Sequence, residues 1–136
     1  MSVDVAEIAR IWNEAFRARR VPVEILASDF VMENATTAVT TQNSVGAAGI
    51  EQWFGDFFGV LAEGSSYNTE VIALGEDCAV GRIILTGRGR MSGAPLDLSH
   101  WGVVWIRGGK VARAVGFETK REALKAAGLE NQRLDE

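Results

Sequence analysis

His100 is the one histidine in the chain. Imidazole, with an ordinary pKa of ~6.5, is the side chain that most readily gives and takes a proton near neutrality. If residues 96–107 form a strand, Leu98, His100, Gly102, Val104 and Ile106 share one face, and Asp97, Ser99, Trp101, Val103 and Trp105 share the other. Glu118 ends the next strand, and the Gly108-Gly109 turn decides whether it can serve His100. A two-residue turn pairs Arg107 with Lys110 and sets Arg113, Val115 and Phe117 opposite the His100 face. A three-residue turn with a bulge pairs Ile106 with Lys110 and brings Ala112, Ala114, Gly116 and Glu118 to that face. His100 then stands across from Gly116 with Glu118 as a diagonal neighbour, and the carboxylate would hold the ring as an acid or base. The plainer alternatives are a hydrogen-bonded core histidine and a Glu118 that caps the final helix.

Arg82 sits between Val80 and Ile84 on a strand expected to be largely buried. A buried guanidinium needs either a carboxylate, for which Glu118 and Glu33 are candidates, or an anionic ligand. Arg88 and Arg90 fall near the strand end, where solvent can reach them. Trp12, Phe16, Trp53, Phe54 and Phe57 come from two helices and, with Met32, form either plain core or an aromatic wall for a flat or cyclic ligand. Gly102, Ala112, Ala114 and Gly116 on the facing strands would leave space unfilled. That pairing of large and small residues predicts a cavity better than any single polar side chain does.

The elements that must position these residues are legible in the spacing. Val5, Ile8, Ala9, Trp12, Ala15 and Phe16 make the stripe of an amphipathic helix, with Asp4 as cap and Glu7 three residues on. Pro22 ends it or opens a short turn through Ile25 and Leu26. Residues 30–34 read as a strand and residues 35–46 as a loop. Ser44 is the expected cap of a second helix carrying Ile50, Trp53, Phe54, Phe57 and Leu61 on one face. Four strands follow, over residues 67–74, 78 to about 90, 96–107 and 110–117, and a short helix stops at Gly128. Helices followed by an antiparallel meander predict an α+β domain.

A chain of 136 residues suits one domain spanning residues 1–136, with a short flexible tail from about residue 130. Fourteen basic against eighteen acidic residues give a net charge of −4, which argues against a nucleic-acid footprint. Cys78 is alone, no Cys/His set has zinc spacing, and no metal or other cofactor is expected. The glycines from Gly87 to Gly93 have the wrong spacing for a dinucleotide loop, and residues 59–65 lack the lysine of a phosphate loop. No apolar run approaches the ~18 residues of a membrane span, and residues 1–5 do not read as a signal peptide. A cytoplasmic protein without membrane or nucleic-acid partners is the expectation.

The strand, Gly-Gly turn and strand over residues 99–111, followed by Glu122-Ala123-Leu124-Lys125-Ala126-Ala127-Gly128-Leu129, resemble the end of the nuclear-transport-factor-two-like superfamily, particularly its SnoaL-like branch. The resemblance spans roughly residues 5–129 and implies a cone-shaped α+β barrel, a curved, mostly antiparallel sheet wrapped around the N-terminal helices. It turns the His100 face toward the cavity and favours the bulged register. Trp12 and Asn34 stand where ketosteroid isomerases carry a Tyr and an Asp base, so that mechanism is not retained. Limonene-type epoxide hydrolases have counterparts in Asn34 and Arg82, but their Tyr resembles Met32 and their two Asp positions resemble Ile84 and Gly116. His100 and Glu118 are the nearest candidates for the acid–base residues of SnoaL-type cyclases.

The resemblance therefore implies a small cofactor-free enzyme for cyclisation, isomerisation, hydration or elimination of an apolar cyclic or polyketide-like molecule. His100, Glu118, Arg82 and Asn34 are its catalytic candidates, and Trp12, Phe16, Met32, Trp53 and Phe57 its ligand wall. The alternatives are a carrier of a hydrophobic small molecule and a plain dimerisation module. A homodimer through Trp101, Val103 and Trp105 is expected, since members of the family commonly dimerise.

Overall fold

The computed structural model describes residues 4–34 and 44–129. Helix α1 (Val5–Arg17) begins where the Asp4 carboxylate accepts a hydrogen bond from the Glu7 amide at 3.1 Å, satisfying one of the helix's free N–H groups. A 3-10 turn (Val23–Ile25) follows Pro22 and leads into strand β1 (Leu26–Asn34), which is longer than residues 30–34 alone. Strand β2 (Ser44–Val45) is brief, and helix α2 runs Gly46–Gly59. Val45 rather than Ser44 therefore stands at the N-cap position of α2, and Ser44 pairs with Met32 in the sheet. Residues 35–43 of the expected loop, and the expected tail over 130–136, lie outside the described residues.

Strands β3 (Ser66–Leu74), β4 (Cys78–Arg88), β5 (Pro95–Arg107) and β6 (Lys110–Phe117) form the antiparallel meander, and helix α3 (Lys120–Ala126) closes the described chain. The six-stranded sheet has the order β2-β1-β6-β5-β4-β3. Only β1 against β6 is parallel, so the sheet is mostly antiparallel and the fold is the cone-shaped α+β arrangement.

The β5–β6 hairpin combines the two expected registers. Gly108 and Gly109, at φ +60° and +79°, make a two-residue turn that pairs Arg107 with Lys110. The register then shifts between Trp105 and Ile106, because Ala112 is an extra residue: Ile106 pairs with Val111, but Trp105 with Arg113. The bulge lies beyond the turn rather than within it. Ala114 and Gly116 thus share the inner face with Val104 and Gly102, while Arg113 joins Trp105 on the outer face.

Two clusters hold the sheet. The inner one joins α1 and α2 to the concave face through Ile8, Phe16, Phe30, Ile50, Phe54, Phe57, Leu85 and Val104, among others. The outer one packs Ala123 and Leu124 of α3 against Val80, Val103 and Cys78. Val103 is thereby fully buried within the chain, whereas Trp101 and Trp105 are half-buried.

Candidate ligand-binding site

Strand alternation builds the cavity floor. Gly81 and Ile83 on β4, His100 and Gly102 on β5, and Ala114 and Gly116 on β6 line a space of about 720 Å³, counted to its open mouth. Ala9, Trp12, Asn13 and Phe16 enter from α1, where their spacing puts them on one side of the helix. Met32 from β1 and Trp53 from α2 complete the wall. The Trp12 and Phe16 rings stack with centroids 4.5 Å apart, and Trp53 lies 5.8 Å from Phe16.

The polar groups are few and largely dehydrated. His100 is half-buried, and burial pushes its imidazole pKa below the ordinary histidine value, so the ring is neutral at pH 7. Tyr67 also lines the cavity, and burial pushes its phenol well up, which keeps it protonated as a donor. The Thr69 hydroxyl and the Trp53 indole nitrogen are buried without a hydrogen-bond partner among the described residues, on residues that are 9% and 8% exposed. Both residues line the cavity. Glu33 borders it too, but its carboxylate accepts a 2.6 Å hydrogen bond from Arg113, whose guanidinium covers the Trp105 ring. With Met32 facing in, alternation turns Glu33 to the outer side. Among the described residues, no group of three or more His, Cys, Asp or Glu could hold a metal ion.

No protein-family model matches the chain, and no curated protein does. Solved structures do. A protein described as a SnoaL-like polyketide cyclase from Mesorhizobium loti superposes with a TM-score of 0.67 at 18% identity, covering 85% of this chain and 99% of its own. A protein with a ketosteroid isomerase-like fold from Catenulispora acidiphila, in complex with trimethylamine, gives 0.67 at 13% identity over 93% and 95% of the two chains. TerC, co-crystallised with polyporic acid, gives 0.65 at 18% identity over 93% and 98%. The chain has the NTF2-like, ketosteroid isomerase-like fold.

Within this NTF2-like cone, five of the expected residues meet: Trp12, Phe16, Met32, Trp53 and His100. Phe57 does not reach the cavity; it stacks behind Trp53 at 4.7 Å and is core. Arg82 is also outside it. Because Gly81 and Ile83 face in, Arg82 faces out, donating to the Ser99 hydroxyl at 3.2 Å and lying 3.7 Å from the Glu70 carboxylate. Its carboxylate partner is neither Glu118 nor Glu33.

Glu118 fails for a different reason. The register would set it level with His100, but β6 ends at Phe117, and Glu118 is exposed before α3 begins. Asn34 is placed by its backbone alone, beside Gly116 on the neighbouring strand, and its side chain lies outside what is described. Asn13, Tyr67 and Thr69 line the cavity without being among the expected residues. Asn13 follows from the α1 stripe, four residues after Ala9, whereas Tyr67 and Thr69 become inward-facing only once β3 is registered against Leu85 and Ile83.

Proposed function

We propose that the cavity binds an apolar, ring-containing small molecule and that His100 exchanges a proton with it. The observation that carries this reading is the neutral, dehydrated His100 inside an aromatic-walled cavity. A neutral imidazole can take a proton from an acidic C–H or O–H of the ligand and return it to another atom of the same molecule. Isomerisation or ring closure then leaves the protein unchanged. The protonated Tyr67 is a donor suited to an oxygen on which negative charge develops. Neither Arg82 nor Glu118 takes part.

A second reading, a carrier without turnover, is favoured by one specific feature: the carboxylate expected beside His100 is exposed at the strand end. Screening cyclic ketones, enones and lactones by thermal shift separates the two, since a bound ligand raises the unfolding temperature by mass action. For an enzyme, a hit is turned over by wild type, and His100→Ala binds it but loses activity by about 100-fold or more. Equal turnover in His100→Ala removes His100 from the mechanism. Binding without turnover in either protein identifies a carrier. A homodimer through Trp101 and Trp105 is proposed as the assembly, with Val103 contributing nothing further because α3 already covers it.

A further inference from the structure

Three glycines stand side by side across the concave face. Gly81 pairs with Gly102, and Gly102 pairs with Gly116, on three successive strands. All three line the cavity. None has a positive φ, so backbone conformation demands glycine at none of them, although a Cβ on Gly81 would lie a tight 3.3 Å from the Glu70 carbonyl oxygen. A Cβ on Gly116 would meet nothing within 4 Å, and one on Gly102 would make only ordinary contacts at 3.6 Å. Glycine in a strand interior is a weak choice, since it adds conformational freedom to the unfolded chain and packs against nothing. What the row does provide is a side-chain-free trough, bounded on one side by His100 and Ile83 and on the other by Val104 and Ala114.

A row of small residues would say little by itself, but this one lies in a cavity with two unpaired buried groups. The Thr69 hydroxyl and Trp53 indole N–H lack partners among the described residues, although each residue is more than nine-tenths buried. Thr69 is in register with Ile83, and Ile83 with His100, so it belongs to the inner row next to the glycines. Dehydrated polar groups of this kind are normally satisfied, and a ligand oxygen is a partner that both could use. Glu33, the charged residue that borders the cavity, is paired on the outer face with Arg113, as Arg82 is with Glu70, and Arg17 reaches cavity-lining Thr69 only at its backbone carbonyl, at 3.4 Å. Among the described residues, no charged side chain faces into the cavity to meet an ionised ligand.

Accepting the ligand-site reading on which it rests, the geometry points to the Gly81–Gly102–Gly116 row as the specificity determinant of the cavity. It seats the flat part of an uncharged, oxygen-bearing ring compound directly on the sheet backbone. The row selects for thickness, because any Cβ there raises the floor, and the lack of an inward-facing charge among the described residues selects for neutrality.

Three probes on one tricyclic skeleton test this by isothermal titration calorimetry: 9-fluorenone, its puckered perhydro ketone, and the anionic fluorenone-4-carboxylate. Wild type should bind fluorenone at least about tenfold more tightly than either of the others. Gly116→Val should lose about tenfold or more in fluorenone affinity, with Gly116→Ala between them, while the weak perhydro binding changes little. Circular dichroism and thermal unfolding establish that each variant is folded, and Gly116→Ala serves if the valine variant is not. Fluorenone binding that is indifferent to Gly116→Val and Gly116→Ala overturns the trough and leaves the ligand site standing. Equal affinity for the carboxylate overturns the selection for neutral ligands. Failure of wild type to bind any of the three overturns the ligand-site reading and the trough with it.

Discussion

At the residue scale, the environment of His100 has a consequence for stability. Its folded pKa lies below the ordinary value because burial disfavours the imidazolium, and no carboxylate offsets that penalty. Below ~6.5 the unfolded chain takes up a proton that the folded chain resists, so stability must fall as the pH drops from there through the lower folded pKa. Denaturant unfolding between pH 8 and 5 should show this loss, and His100→Phe should flatten the part of the slope that His100 contributes. A histidine paired with Glu118 would do the opposite, gaining stability on protonation. A wild-type slope unchanged by the substitution would refute the dehydrated, unpaired ring. Arg82 shows how little residue type decides by itself: one step along β4 separates the cavity from the outer face.

At the element scale, α3 is a short helix with a large covering role. Its cap is Thr119, whose hydroxyl accepts from the Glu122 amide at 3.1 Å, and Ala123 and Leu124 lie over Val80 and Val103. Just beyond the helix, the Ala127 carbonyl accepts from the Cys78 thiol at 3.6 Å. Burial pushes that thiol's pKa up, with the Asp77 charge adding to it, so little reactive thiolate is present at neutral pH. Thr119→Ala should cost about 1 kcal/mol in unfolding free energy. It should also speed the labelling of Cys78 by a thiol reagent under native conditions, because loosening α3 exposes the sulfur. Labelling as slow as in wild type would mean that α3 does not gate access to Cys78.

At the scale of the whole molecule, the outer sheet face remains incompletely covered. Trp101 and Trp105 are half-buried even with α3 in place, and the Arg113 guanidinium sits 4.8 Å over the Trp105 ring, itself held by Glu33. Large aromatic surface beside a paired charge suits an interface with a second copy. Light scattering at micromolar concentration should give the mass of a dimer, and Trp101→Glu should shift it to the monomer while ligand binding in the opposite-facing cavity persists. A wild-type monomer at that concentration would count against the interface. Among the described residues, no helix is long and apolar enough to cross a membrane.

Much of this arrangement is written in local chemistry. The α1 stripe with its Asp4 cap, the aromatic face of α2, the four meander strands and the Gly108-Gly109 turn are each set by neighbours within a few residues. The large aromatics of the helices and the small Gly102, Ala114 and Gly116 on the facing strands are likewise set by composition and strand phase. Register is different. Ala112 counts as one extra residue only when β6 is paired with β5, and that single slip sets what faces His100. Where β6 stops, which places Glu118 in solvent, depends on α3 folding back over the outer face. The face taken by Arg82, the inward turn of Thr69 and Tyr67, and the alignment of three glycines likewise arise between strands distant in the chain. A period of two lets sequence say which residues share a face, but only pairing with a neighbour says which face is inside.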